Sequence, residues 1–207
     1  MTSARVGLLT GPIGVGKTTA AERVIGSARH LGLTCGGLLA PAVLNSHGKK
    51  VGIWGVDVCR DERRILARTD RDLGGPSTGP YSFDAAALDW ALATVERAMR
   101  PPDPVPVPEH GGAPLQACDL VLVDEIGKLE LWQGIGLAPI LPRLAAGQAR
   151  RVLVLVRDSL LRELQGRLGT AIEQIVFEMN ELNRETLPQQ VLERLYGGHR
   201  SGEYRFL

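Results

Sequence analysis

Gly11-Pro12-Ile13-Gly14-Val15-Gly16-Lys17-Thr18 places a lysine and a hydroxyl directly after a glycine-rich turn, the G-x-x-x-x-G-K-[ST] spacing that cradles phosphate. Glycines at 11, 14 and 16 let backbone N–H groups point inward, so that β- and γ-phosphate oxygens meet them at a helix N-terminus. Lys17 adds a mobile positive charge, Thr19 leads into the helix, and the Thr18 hydroxyl has the size to sit on Mg²⁺, which keeps most of its waters. The rival dinucleotide fingerprint G-x-G-x-x-G is absent, because Thr19 stands three residues after Gly16. The implied substrate is a nucleoside triphosphate.

A second stretch, Asp119-Leu120-Val121-Leu122-Val123-Asp124-Glu125, supplies carboxylates. Four apolar residues make a strand buried on both faces, and the two acids appear where it emerges at the carboxyl edge of a sheet, beside the phosphate loop. Asp124 is placed to reach Mg²⁺, directly or through a water. Glu125 is the candidate that orients and deprotonates an attacking water. Arg157 and Asp158 follow the apolar run Arg151 to Val156. If that strand is parallel to the others they share the same edge, and Arg157 admits two readings, a γ-phosphate contact or a solvated loop arginine.

These residues need a frame of strands and helices to meet. Val6 to Leu9 reads as a buried strand, and the helix after the loop runs to about Leu31, where Gly32 stops it. Cys35 to Ala40 is a short strand closed by Pro41. Val51 to Val58 and Arg64 to Ala67 read as strands joined by the charged turn Arg60-Asp61-Glu62-Arg63, an antiparallel meander inserted into a mostly parallel α/β pattern. Asp72 to Pro80 reads as a loop, and Asp84 as the N-cap of a helix reaching Met99. Leu137 to Ala146 reads as helix despite two prolines, Ser159 as the cap of a helix through Leu168, Ile175 to Glu178 as a final strand, and Asn183 to Tyr196 as the last helix. Pro101 to Pro114 holds six prolines and is excluded from helix and central strand; a spacer and a polyproline docking segment are its two readings. The tail from Gly197 to Leu207 is expected to be mobile.

With 207 residues, 44% hydrophobic and 23% charged, the chain suits one domain with a sizeable core. A formal net charge of +1 gives no global attraction to nucleic acid or membrane. Cys35, Cys59 and Cys118 form no C-x-x-C pair, and the four histidines have no zinc-ligand spacing. Free thiols, no room for a signal peptide before the first strand, and no apolar run near the ~18 residues of a membrane helix give the expectation of a cytoplasmic protein.

The block Asp124-Glu125-Ile126-Gly127-Lys128-Leu129-Glu130-Leu131 resembles the D-E-I-G-K-M-E-L motif of the THEP1-type nucleoside-triphosphatases, with Leu129 the one difference. The resemblance extends to the GPxGVGKTT form of the loop, the Gly36-Gly37 strand and meander, the Tyr81/Phe83 region, and Met179 to Arg184, which is similar to the family's N-x-x-N-R turn. It implies Mg²⁺-dependent hydrolysis of ATP, GTP and other nucleotides on a mixed sheet of the RecA/AAA-like P-loop class. By position it implies Gly14 to Thr19 on the phosphates, Asp124 on the metal and Glu125 on the water. Lys128 is near enough in sequence to approach the nucleotide, although no charge or spacing argument singles it out. Asn183-Arg184 can be a helix cap with a structural arginine. The chain departs from the family in its long proline-rich segment and in Arg157.

Two other functions fit a phosphate loop. A small-molecule or nucleotide kinase would use Arg60, Arg63, Arg64, Arg68 and Arg71 as a clamp or lid, but these alternate with Asp61, Glu62, Asp70 and Asp72, and a water-activating Glu opposes kinase chemistry. A nucleotide-dependent switch or motor acting on protein or nucleic acid is opposed by the absence of a guanine-selecting N/T-K-x-D motif and by near-zero net charge. The residues identify neither a base preference nor a protein partner.

Overall fold

The structure is a computed structural model and describes residues 4–100 and 118–197. The proline-rich reading of 101–114 and the tail beyond 197 lie outside these residues.

The phosphate-loop strand β1 (Arg5–Thr10) is buried from its second residue on and lies inside a block of parallel strands, second from its edge. It pairs with β10 (Glu173–Glu178) on one side and β9 (Arg151–Val156) on the other. Beyond β9 come β8 (Leu120–Ile126) and β2 (Cys35–Leu39), both parallel to it. Valine and leucine runs suit such strands because both faces are covered. On β9, Val152, Val154 and Val156 enter one core and Leu153 and Leu155 the opposite one, as a period of two requires.

From β2 outward the sheet turns antiparallel. β4 (Lys50–Asp57) pairs with β2, then with β5 (Arg63–Arg68), followed by β7 (Tyr81–Phe83) and β6 (Ser77–Thr78); β3 (Ala42–Leu44) pairs with β4 off this path. The expected meander is present but larger than expected, incorporating Ala42 to Leu44, Tyr81 to Phe83 and, from the expected loop 72–80, Ser77-Thr78, so the sheet is mixed as expected but has as many antiparallel as parallel strands. These short segments carry too few residues to show a period.

Helices cover both faces. α1 (Lys17–His30) buries Ala20, Ala21, Val24, Ile25 and Ala28 against one face beside α6 (Leu187–Tyr196). The other face carries α2 (Ala85–Met99), α3 (Lys128–Gln133), α4 (Leu141–Ala145) and α5 (Asp158–Leu168). Asp84 caps α2 as expected, its Oδ1 accepting from the Ala87 N–H at 2.8 Å.

Three helix boundaries differ from the sequence reading. Residues 137–146 split into a 3-10 turn (Ala138–Ile140) and α4, each with a proline in its first turn, because proline is tolerated only there. α5 begins at Asp158, so Ser159 lies inside the helix and Arg157 occupies the cap position without a side-chain bond to the helix N-terminus. The last helix starts at Leu187 rather than Asn183. Asn183 is committed to the preceding turn, where its amide donates to the Glu178 carbonyl at 2.8 Å and its Oδ1 accepts from the Asn180 N–H at 2.8 Å.

Candidate functional site

The loop between β1 and α1 folds around its glycines. Gly11 has φ 147° and lies so close to the carbonyl of Met179 that a Cβ would sit 2.4 Å from its oxygen. Gly14 and Gly16 also have positive φ, and Gly16 closes the loop by accepting from the Ala20 N–H at 2.9 Å. Pro12 accepts from the Val15 N–H at 3.3 Å, while Ile13 at the loop's apex is 80% exposed. Lys17 is buried, and its Nζ donates to the Gly11 carbonyl at 2.6 Å and the Pro12 carbonyl at 3.1 Å. Burial lowers its pKa, against the opposing pull of Glu125 and then Asp158, with Arg157 adding to the lowering. Thr18 and Thr19 follow it in the first turn of α1.

β8 reaches the same edge two strands away, with β9 between it and β1. Its register against β9 runs from Val123↔Val154 to Ile126↔Val156, one residue more on β8 than on β9. That bulge falls on Asp124 and Glu125, whose peptide bond is cis. Asp124 is 4% exposed and accepts from the Ala40 N–H at 3.0 Å. Burial pushes its carboxyl from 3.8 up to about 6, against the lowering effects of that bond and of the Thr18 hydroxyl. Thr18 and Asp124, the two expected metal ligands, therefore lie together. No cluster of three or more His, Cys, Asp or Glu that could hold a metal occurs among the described residues. A hydroxyl beside one buried carboxylate fits a Mg²⁺ that takes its other ligands from phosphate and water.

Glu125 points elsewhere. Its Oε1 accepts from Arg157 Nε at 2.7 Å, with both side chains partly exposed, so the arginine at the end of β9 is ion-paired. The distance between them in sequence hid this pair. Lys128, the first residue of α3, holds its Nζ 4.7 Å from the centroid of the Trp132 ring. Behind it Glu130 is buried, accepting from the Gly127 N–H at 2.8 Å and the Leu137 N–H at 3.4 Å, with a pKa raised by burial. Glu130 thus fixes the loop that carries Lys128, a role its place in an acidic motif did not reveal.

Two hollows flank these groups. One, of about 310 Å³, lies against the outer side of the phosphate loop between Arg23, Met179, Arg184 and Glu185. Glu185 pairs with both Arg23 and Arg184. The other, of about 390 Å³, extends from Thr18, Asp124, Glu125 and Arg157 under the antiparallel strands.

Comparison with known proteins places these features in a family. The model of the family described as NTPase matches residues 7–192. A nucleoside-triphosphatase THEP1 of Methanopyrus kandleri is 32% identical over 124 residues, 60% of this chain and 58% of that protein. The matched stretch thus spans under two thirds of the relative. A THEP1 of Thermotoga sp. (strain RQ2) is 27% identical over 189 residues, covering 89% of this chain and 92% of its own. The solution structure of a human cancer-related nucleoside triphosphatase superposes with TM-score 0.63 over 95% of this chain and all of that one, at 21% identity, which establishes the shared fold. With the phosphate loop, the acidic strand end and the family model agreeing from the first strand to the last helix, this chain belongs to the NTPase family, of THEP1 type.

Proposed function

We propose that the protein is a Mg²⁺-dependent nucleoside-triphosphatase that hydrolyses ATP, GTP and other nucleoside triphosphates to the diphosphate and phosphate. The observation that carries this reading is the convergence of Lys17, Asp124 and Glu125 at the carboxyl end of the parallel strands, close enough for both carboxylates to influence the lysine. In this reading the loop amides from Gly11 to Thr19 and the Lys17 ammonium hold the β- and γ-phosphates. Thr18 and Asp124 hold Mg²⁺, which when bound neutralises charge on the phosphate oxygens. Glu125 takes a proton from the water that attacks the γ-phosphorus, and Arg157, at 2.7 Å, orients it and faces the γ-phosphate.

The insertion of β9 between β1 and β8 supports the RecA/AAA-like subclass. It sets the acidic strand two spacings, about 9.6 Å, from the loop strand, leaving room for phosphate and a water between them. No described helix is long and apolar enough to cross a membrane. A second reading, transfer to a small acceptor, is favoured by the cavity beside Glu125.

Phosphate release from ATP, GTP, CTP and UTP, with and without Mg²⁺, tests the proposal. Release that requires Mg²⁺ and no acceptor is the expected result. Release only when an acceptor is added would replace the hydrolase with a kinase.

A further inference from the structure

A water that attacks phosphate needs about 30 Å³. The cavity running from Thr18 and Asp124 under the antiparallel strands holds about 390 Å³, a volume typical of sites for small organic molecules. Hydrolysis would use the end at Thr18, Asp124, Glu125 and Arg157, and gives no reason for the part between Ile53, Leu66, Phe83 and Leu88.

The lining indicates the occupant. Ile53, Leu66, Phe83 and Leu88 present an apolar wall contributed by β4, β5, β7 and α2. Three carboxyl groups reach the cavity, and each is satisfied within the protein: Asp124 by the Ala40 N–H, Glu125 by Arg157, and Glu130 by the Gly127 and Leu137 N–H groups. Two ammonium groups, Lys50 and Lys128, also line it, and among the described residues neither forms an ion pair. Each rests instead over an aromatic ring, Lys50 at 5.6 Å from the Tyr81 centroid and Lys128 at 4.7 Å from that of Trp132. A cation over a ring edge of a hollow keeps its capacity for an anion, and an ion pair shielded by apolar walls is stronger than one in water.

We propose that this cavity is a second ligand site, for a small organic anion with an apolar or aromatic body. The wall of Ile53, Leu66, Phe83 and Leu88 takes the body, and Lys50 and Lys128 take the charge. Because the cavity opens onto Thr18, Asp124 and Glu125, its occupant lies next to these three side chains. The inference concerns binding and stands apart from the hydrolase reading.

The test uses the folded full chain without nucleotide and two fluorescent probes with one aromatic body: 8-anilinonaphthalene-1-sulfonate, which is anionic, and N-phenyl-1-naphthylamine, which is neutral. The parent is expected to bind one sulfonate per chain, about ten-fold or more tighter than the neutral amine, the gain from a charge-assisted contact. The Lys50→Ala/Lys128→Ala double variant is expected to bind the two probes alike, while Lys49→Ala, an exposed lysine outside the cavity lining, binds them as the parent does. Absence of saturable binding, several sulfonates per chain, or a preference retained in the double variant overturns the proposal. Phosphate release by the parent protein separates the two readings: its absence with probe binding intact removes the hydrolase and leaves the second site standing.

Discussion

At the scale of single residues, Glu125 distinguishes hydrolysis from other uses of a phosphate loop. Glu125→Gln keeps shape and hydrogen-bonding reach but removes basicity, so single-turnover hydrolysis should slow by roughly 10² to 10⁴ while equilibrium binding of Mg-ATP persists. An unchanged single-turnover rate excludes Glu125 as the base. Lys17→Ala removes the ammonium that the proposed function assigns to the phosphates and should nearly abolish turnover and weaken nucleotide binding; equal steady-state rates would show that this loop is not catalytic. Asp124 makes a prediction about pH. Its carboxyl rises from 3.8 to about 6 on burial, so the folded chain holds the proton more tightly than the unfolded chain. That contribution to stability is complete below the unfolded value and is lost as pH rises through about 6. In magnesium-free buffer, Asp124→Asn should gain stability relative to the parent between pH 4 and pH 7, by up to about 3 kcal/mol. Urea denaturation at the two pH values measures it, and a difference independent of pH would remove burial of the charge as the cause.

At the scale of elements, two polar residues near helix starts have different fates. Asp84 precedes the first helical residue of α2 and bonds to the Ala87 N–H, whereas Ser159 is the second residue of α5 and makes no cap. Asp84→Ala should cost about 1 kcal/mol, read as a fall in thermal midpoint, with unchanged phosphate release per folded molecule. Ser159→Ala should stay within about 0.5 kcal/mol of the parent. Equal losses would mean that the cap bond of Asp84 contributes nothing. The cap of α2 was legible because a single acid directly precedes the apolar helix start Ala85-Ala86-Ala87-Leu88. Before α5, Arg157, Asp158 and Ser159 all sit near the boundary, and which one caps depends on where β9 releases the backbone.

For the whole molecule, the parallel block and the antiparallel strands meet at a narrow join between β2 and β4, where Leu38↔Asp57 and Leu39↔Val56 pair. α2 spans the join: Ala91 and Val95 pack into the core with Leu38 and Leu66, and Arg97 pairs with the buried Asp57. The antiparallel strands should therefore unfold together with the parallel block. Trp54 and Trp90 on the meander side report this, and their fluorescence should change at the same denaturant concentration as far-UV circular dichroism. An earlier fluorescence transition would make the antiparallel strands a separate unit.

The sequence by itself determined the phosphate loop, the acidic strand end and the family, because each is a contiguous run whose residues act within a turn or two of one another. It also determined the buried parallel strands, since a strand covered on both faces must be apolar at every position. The tertiary structure decided the rest: that β9 separates β1 from β8, that Arg157 binds Glu125, that Asp124 is buried enough to hold a proton near pH 6, and that Lys50, Tyr81 and Lys128 surround one cavity. Parallel strands pair through backbone hydrogen bonds common to every residue, so their order leaves little trace in local sequence. A side chain's partners and dielectric surroundings follow from that order.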